Sequence, residues 1–142
     1  MRPILASLLF MIFTSPVLAI GTEEGPGAST AQAQAAVDAG DYAGALTLLR
    51  PIVAAEPGNA DALNLVGYAS RKLGQLDQAA TFYQAALAAD PNHQGALEYQ
   101  GELFVMTGNL AGAQANLVRL QALCGSCEAE EDLAAALAGA GS

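Results

Sequence analysis

The chain has no tryptophan, one histidine, two cysteines and only five lysines and arginines in 142 residues. Each scarcity removes a class of function. Fourteen acids against those five bases give a formal net charge of −9. The basic footprint that nucleic-acid binding requires is therefore missing, and anionic membrane surfaces are disfavoured. Two cysteines and the lone His93 do not make up the four ligands of a structural zinc site. No Ser/His/Asp arrangement can be assembled around His93, and no glycine-rich phosphate loop is present. The expectation is no catalytic residue, no metal and no cofactor. Aromatics make up 6% of the chain while alanine is abundant, a composition that suits closely packed helices rather than strands.

Long apolar runs are also rare. The one that stands out is N-terminal, in MRPILASLLFMIFTSPVLA. Arg2 supplies a positive start, Ile4 to Phe13 are almost continuously apolar, and Pro16 precedes the small residues of a cleavage site at Ala19. Residues 1–19 are expected to be a signal peptide. The run is short for a membrane span of roughly 20 residues, so the mature chain is expected to be exported, periplasmic and free of the membrane. A retained anchor is the alternative. Residues 20–27 read as a linker.

What the rest of the chain does have is a repeat. Gly40, Ala45 and Pro57 stand 34 residues before Gly74, Ala79 and Pro91. Gly67, Gly74, Leu76 and Ala79 recur 34 residues later as Gly101, Gly108, Leu110 and Ala113. Within one period, Leu63, Val66, Gly67 and Leu73 mark the inner stripe of a first helix. Gly74 permits the left-handed residue that ends it. A second helix runs from about Leu76 to Ala89, with Ala79, Tyr83, Ala86 and Leu87 on one face, and Asp90-Pro91 stops it. Gly67 and Ala79 are small where the two helices would cross. Tyr83 and Phe104 fall on apolar stripes and read as core. Such a hairpin cannot bury its own face and has to stack on a neighbour.

These residues resemble the tetratricopeptide repeat (TPR) family. Residues 60–93 follow its 34-residue pattern without a gap, through Leu63, Val66, Gly67, Gly74, Ala79, Tyr83, Ala86 and Pro91. Residues 28–59 match in their second half, and residues 94–127 match through Leu97, Gly101, Phe104, Gly108 and Ala113 without the final proline. The resemblance implies an all-α fold, a right-handed α-solenoid of three helical hairpins (28–59, 60–93, 94–127). A capping helix and tail would follow in 128–142.

The cysteines fall where the third unit meets the cap, in Cys124-Gly125-Ser126-Cys127, at the place where the earlier units end in Pro57 and Pro91. A disulfide there would staple the turn, contributing roughly 2 kcal/mol through loop closure. Covalent haem needs a histidine after the second cysteine, and Glu128 stands there instead. Thiol exchange is the sharper alternative, since a Cys-x-x-Cys at a helix start is oxidoreductase geometry. Against it, Glu128, Glu130, Glu131 and Asp132 crowd the same turn and oppose a thiolate. The acids also complement the helix dipole, and the βαβ context of thioredoxin-like folds is lacking.

In the TPR family the first helices of the units line a concave groove that holds peptides or partner helices. Carried onto this chain, the groove positions are Thr30 and Gln34, then Asp61, Asn64, Tyr68, Arg71 and the adjacent Lys72. The third unit adds Glu98, Glu102, Val105 and the adjacent Met106. Glu98 and Glu102 would repel an anion, which argues against a carboxylate clamp. The resemblance implies a scaffold that holds a protein or peptide partner and does no chemistry, with self-association as another way to cover the ends of the stack. The alternative is a thiol-disulfide exchange factor, or a cytochrome or envelope assembly factor, acting through Cys124 and Cys127.

Overall fold

The structure, a computed structural model, describes residues 28–141. The expected signal peptide and linker, residues 1–27, lie outside the described residues. Seven helices make up the described chain: α1 (Thr30–Asp38), α2 (Tyr42–Ala55), α3 (Ala60–Lys72), α4 (Leu76–Ala89), α5 (Gln94–Met106), α6 (Leu110–Cys124) and α7 (Glu128–Ala140). No strand occurs among the described residues. The helices pair as hairpins α1–α2, α3–α4 and α5–α6, and α7 packs on both helices of the last hairpin.

Local chemistry sets the boundaries. Gly40, Gly74 and Gly108 have φ of +78°, +77° and +80°, the left-handed turn that ends the first helix of each unit. In each case the next residue's N–H reaches back five residues, as Gln75 does to the Ser70 carbonyl at 2.9 Å, which closes the helix end. Four of the helix starts are capped by short polar side chains. Ser29 forms a reciprocal capping box with Gln32, and Asp41, Asn59 and Asn109 each accept a backbone N–H three residues on. The second helix of the middle unit spans Leu76–Ala89, as its apolar stripe and Pro91 predict.

The abundance of alanine is explained by the packing. Ala33, Ala45, Ala62, Ala69, Ala79, Ala86, Ala96 and Ala113 are all fully buried, so neighbouring helices can approach closely. Gly67 goes further. A Cβ there would meet the ring of Tyr83 at 2.6 Å, so the glycine of α3 makes room for the fully buried tyrosine of α4. Gly101 does the same for Leu133 of α7, at 2.5 Å. Leu73 departs from the expected inner stripe. It is the residue after the last turn of α3 and is 43% exposed, because the helix ends before its side chain can turn inward. Phe104 is half-buried, packed against the C-terminal core of Leu97, Leu117, Leu120 and Leu133. Buried Asn116 ties α6 to α5, donating to the Leu97 carbonyl and to Gln100 Oε1, both at 3.0 Å.

The period extends past the third hairpin. Helices α3, α5 and α7 are each 13 residues long and begin at residues 60, 94 and 128. Helix α7 thus occupies the place of a fourth unit's first helix and continues the same inner face.

Candidate functional site

Helices α1, α3, α5 and α7 share one face, and hollows run along it between them. The first, about 430 Å³, is lined by Thr30, Gln34, Asp61, Asn64 and His93. A smaller one of about 170 Å³ lies between Asp38, Asn64, Tyr68, Gly95 and Tyr99. A third, about 360 Å³, is bounded by Gly95, Glu98, Tyr99, Cys127, Glu128 and Asp132. The last, about 420 Å³, is lined by Tyr68, Arg71, Lys72, Glu98, Glu102, Val105, Met106 and Asp132, among others. Tyr99 borders three of the four, and Asn64, Gly95 and Glu98 are each shared by two. Together they form one trough. A separate hollow of about 450 Å³ lies between the start of α1 and the end of α2, at the edge where residue 28 enters the fold.

Two tyrosines, Tyr68 and Tyr99, line the trough, and a third, Tyr42 of α2, packs against Tyr68. Tyr42 and Tyr68 meet edge-on with centroids 6.2 Å apart, and Tyr68 and Tyr99 tilt together at 4.7 Å. Arg71 is caught among them. Its guanidinium lies 5.4 Å from the Tyr68 centroid and 5.8 Å from that of Tyr99. Nη2 is 2.5 Å from Glu102 Oε2, and Nη1 reaches Met106 Sδ at 3.7 Å. Fixed aromatic faces and a matched carboxylate hold this cation in place. Two of the groove positions taken from sequence, Arg71 and Glu102, are therefore joined in an internal ion pair, which leaves Lys72, 5.4 Å from the Tyr68 centroid, as the exposed base.

Below Arg71 stands Tyr83, which is fully buried. Its phenol is held well above its ordinary value by burial, partly offset by the nearby guanidinium. Neither the Tyr83 hydroxyl nor Arg71 Nε makes a well-formed hydrogen bond. Tyr99 is pushed up to about 12 by burial and by the neighbouring Glu98.

Glu98 is 8% exposed. Burial comes first among the causes that raise its carboxyl to about 7, followed by the negative fields of Glu102, Asp132 and Glu128, with Arg71 acting the other way. His93 caps α5: Nδ1 accepts the N–H of Ala96 at 3.1 Å, and Nε2 lies 2.9 Å from Asp61 Oδ1. A nitrogen that accepts a backbone N–H carries no proton, so the proton sits on Nε2 and is donated to Asp61. His93 is thus a cap and a tie between two units.

The groove positions taken from sequence are brought together here, with Val105 and Met106 at the far rim. Three residues that sequence reasoning passed over complete the trough. Tyr99 lies at its centre. Gly95 opens it, since a Cβ there would sit 3.2 Å from Asn64 Nδ2. Asp132 borders it from α7, and the repeat itself signals that residue: Asn64, Glu98 and Asp132 are successive members of one 34-residue series.

Cys124 and Cys127 lie close together across the α6–α7 turn, with Cα atoms 5.7 Å apart, within the range a disulfide spans. Gly125 between them has φ +67°. Cys127 lies just ahead of α7 and borders the acidic end of the trough. Among the described residues no group of three or more His, Cys, Asp or Glu side chains is placed to hold a metal ion. None of the described helices is long and apolar enough to cross a membrane.

The family model described as tetratricopeptide repeat matches residues 30–94 and 71–117. The chain belongs to the tetratricopeptide repeat family. Among solved structures, this TPR protein is similar to the type III secretion translocator chaperone SycD of Yersinia enterocolitica. The TM-score is 0.70 at 18% identity, over 79% of this chain and 80% of that one. It is also similar to an alternative dimer form of SycD, with TM-score 0.66 at 18% identity, over 78% of this chain and 84% of that one. At such identity the likeness shows a shared fold. Among curated proteins none matches the TPR chain.

Proposed function

We propose that this TPR protein is an exported scaffold that holds a segment of a partner protein along its concave trough and performs no catalysis. The observation that carries this reading is the trough itself: the paired rings of Tyr68 and Tyr99, polar groups along its length and the exposed Lys72, on the face shared by α1, α3, α5 and α7. Tyrosine is a common interface anchor, and Arg71 is already held by its own chain. The likeness to translocator chaperones agrees with a holding role, and the N-terminal apolar segment supports a periplasmic location. A photo-crosslinking side chain placed at Tyr68, compared with one at exposed Gln84 of α4, tests the reading in intact cells. The same partner captured at Tyr68 and not at Gln84 is expected. Equal capture at both sites, or at neither, would remove the trough as the holding surface.

The position of Cys127 beside the trough supports a second reading, in which the cysteine pair exchanges with a client thiol. A Cys127→Ser variant that traps a client by a bond released with dithiothreitol is its expected signature. Under the scaffold reading the same variant captures its partner without any such bond.

A further inference from the structure

Met106 is the last residue of α5 and the most exposed large apolar side chain among the described residues, at 57%. It is also the one methionine of the chain outside residues 1–27. An exposed thioether is open to oxidation wherever it stands. What sets this one apart is its neighbour. Arg71 Nη1 donates to Met106 Sδ at 3.7 Å, from a residue 35 positions away in sequence.

Arg71 is held firmly in that position. Its side chain is 10% exposed, Nη2 is paired with Glu102, and the guanidinium lies within cation–π distance of the Tyr68 and Tyr99 rings. Nη1 is left facing the sulfur, and a thioether is a weak acceptor. A donor on a fixed cation is thus set against a group that scarcely uses it. One added oxygen changes this. A sulfoxide oxygen accepts strongly, and a bent arrangement with that oxygen about 2.8 Å from Nη1 fits the 3.7 Å between Nη1 and Sδ. The new hydrogen bond is charge-assisted, roughly twice as strong as a neutral one. It completes the guanidinium, with Glu102 on Nη2 and the sulfoxide on Nη1.

The step balances with a peroxide as the oxidant. The sulfur lone pair attacks one peroxide oxygen and the O–O bond breaks. The departing hydroxide takes the proton of the transferred oxygen and leaves as water. Sulfur gives up two electrons, and the peroxide is reduced.

We propose that Met106 is an oxidation site whose sulfoxide is bound by Arg71, turning the apolar rim that Val105 and Met106 give the trough into a polar one. Oxidation here stabilises the fold, whereas oxidation of a packed methionine disrupts it. The inference stands on the Arg71–Met106 contact and does not depend on the scaffold reading. The test treats the full-length protein with hydrogen peroxide and follows the gain of one oxygen at Met106 by peptide mass. Met106→Leu is treated alongside, so that any effect of oxidising Met1 and Met11 is seen by itself. The oxidised parent is expected to unfold at a urea concentration about 0.3–0.5 M higher than the reduced parent, with no shift in Met106→Leu. Among the arginine side-chain resonances, the Nε signal of Arg71 should move on oxidation while those of Arg50 and Arg119 stay in place. A methionine sulfoxide reductase should restore both readings. Arg71→Leu should lose the gain in midpoint, and if that variant does not fold, the midpoint and the Arg71 signal of the parent decide. An unchanged or lowered midpoint in the oxidised parent, an equal shift in Met106→Leu, or an Arg71 signal that does not move overturns the proposal.

Discussion

Glu98 enters the fold 8% exposed, with Glu102, Glu128 and Asp132 nearby. Its folded value of about 7 lies above the ordinary 4.5, so the folded state binds more protons than the unfolded state between those values. Stability from this group is fully present below about 4.5, falls as pH rises toward 7, and is lost above it. Glu98→Gln should therefore unfold at higher urea than the parent at pH 8, by at most about 3 kcal/mol. At pH 4.5 the two should nearly coincide. Urea melts at the two pH values, followed by circular dichroism, check this, and an equal difference at both would show that Glu98 is ionised throughout. Gly67→Ala is a steric counterpart. Its new Cβ meets the Tyr83 ring, and the cost should be about 1–3 kcal/mol, as overpacking usually is. Glu98 and Gly67 differ in how far the sequence reveals them. Gly67 is legible because the same small residue returns at Gly101. The burial of Glu98 is not, since a glutamate in a groove position reads as solvent-exposed, and its surroundings depend on α7, which sequence alone treats as a cap.

At the scale of the element, the hairpins were the most legible part of the chain. Gly40, Gly74 and Gly108 end helices where the period requires it, and Pro57 and Pro91 follow the ends of α2 and α4. Helix α7 was harder to place because no glycine–proline frame encloses it. Its identity is carried by spacing, with Asp132 following Glu98 and Leu133 following Tyr99 by 34 residues. Leu133 is fully buried over Gly101, so this pair docks the element. Gly101→Ala should loosen α7 from α5, costing about 1–3 kcal/mol. Its mark should be faster amide exchange in residues 129–137 with α3 unchanged. The cysteine pair acts on the same docking from the turn. Replacing both with serine should cost on the order of 2 kcal/mol or less, given the short loop they close. Partner capture through the trough should survive if the pair is a staple.

For the whole molecule, each helix face is covered chiefly by its immediate neighbours, as in repeat stacks generally, where stability is approximately a sum of unit and interface terms. Helix α7 occupies a first-helix position, so it both covers the C-terminal core and completes the acidic end of the trough. Removing residues 128–142 should have two separable consequences. Leu97, Leu117 and Leu120 lose the cover of Leu133, and about 2–5 kcal/mol of local stability should go with it, the range for losing a large buried side chain. Because coupling falls off along the stack, amide protection should drop in α5 and α6 and stay close to parent values in α1 and α2. The newly bared leucines also give the shortened chain a reason to pair with a second copy, which sedimentation would detect as a heavier species than the parent. A uniform loss of protection from α1 to α6 would show instead that the stack folds as one cooperative block. In that case α7 acts on the whole trough and not only on its acidic end.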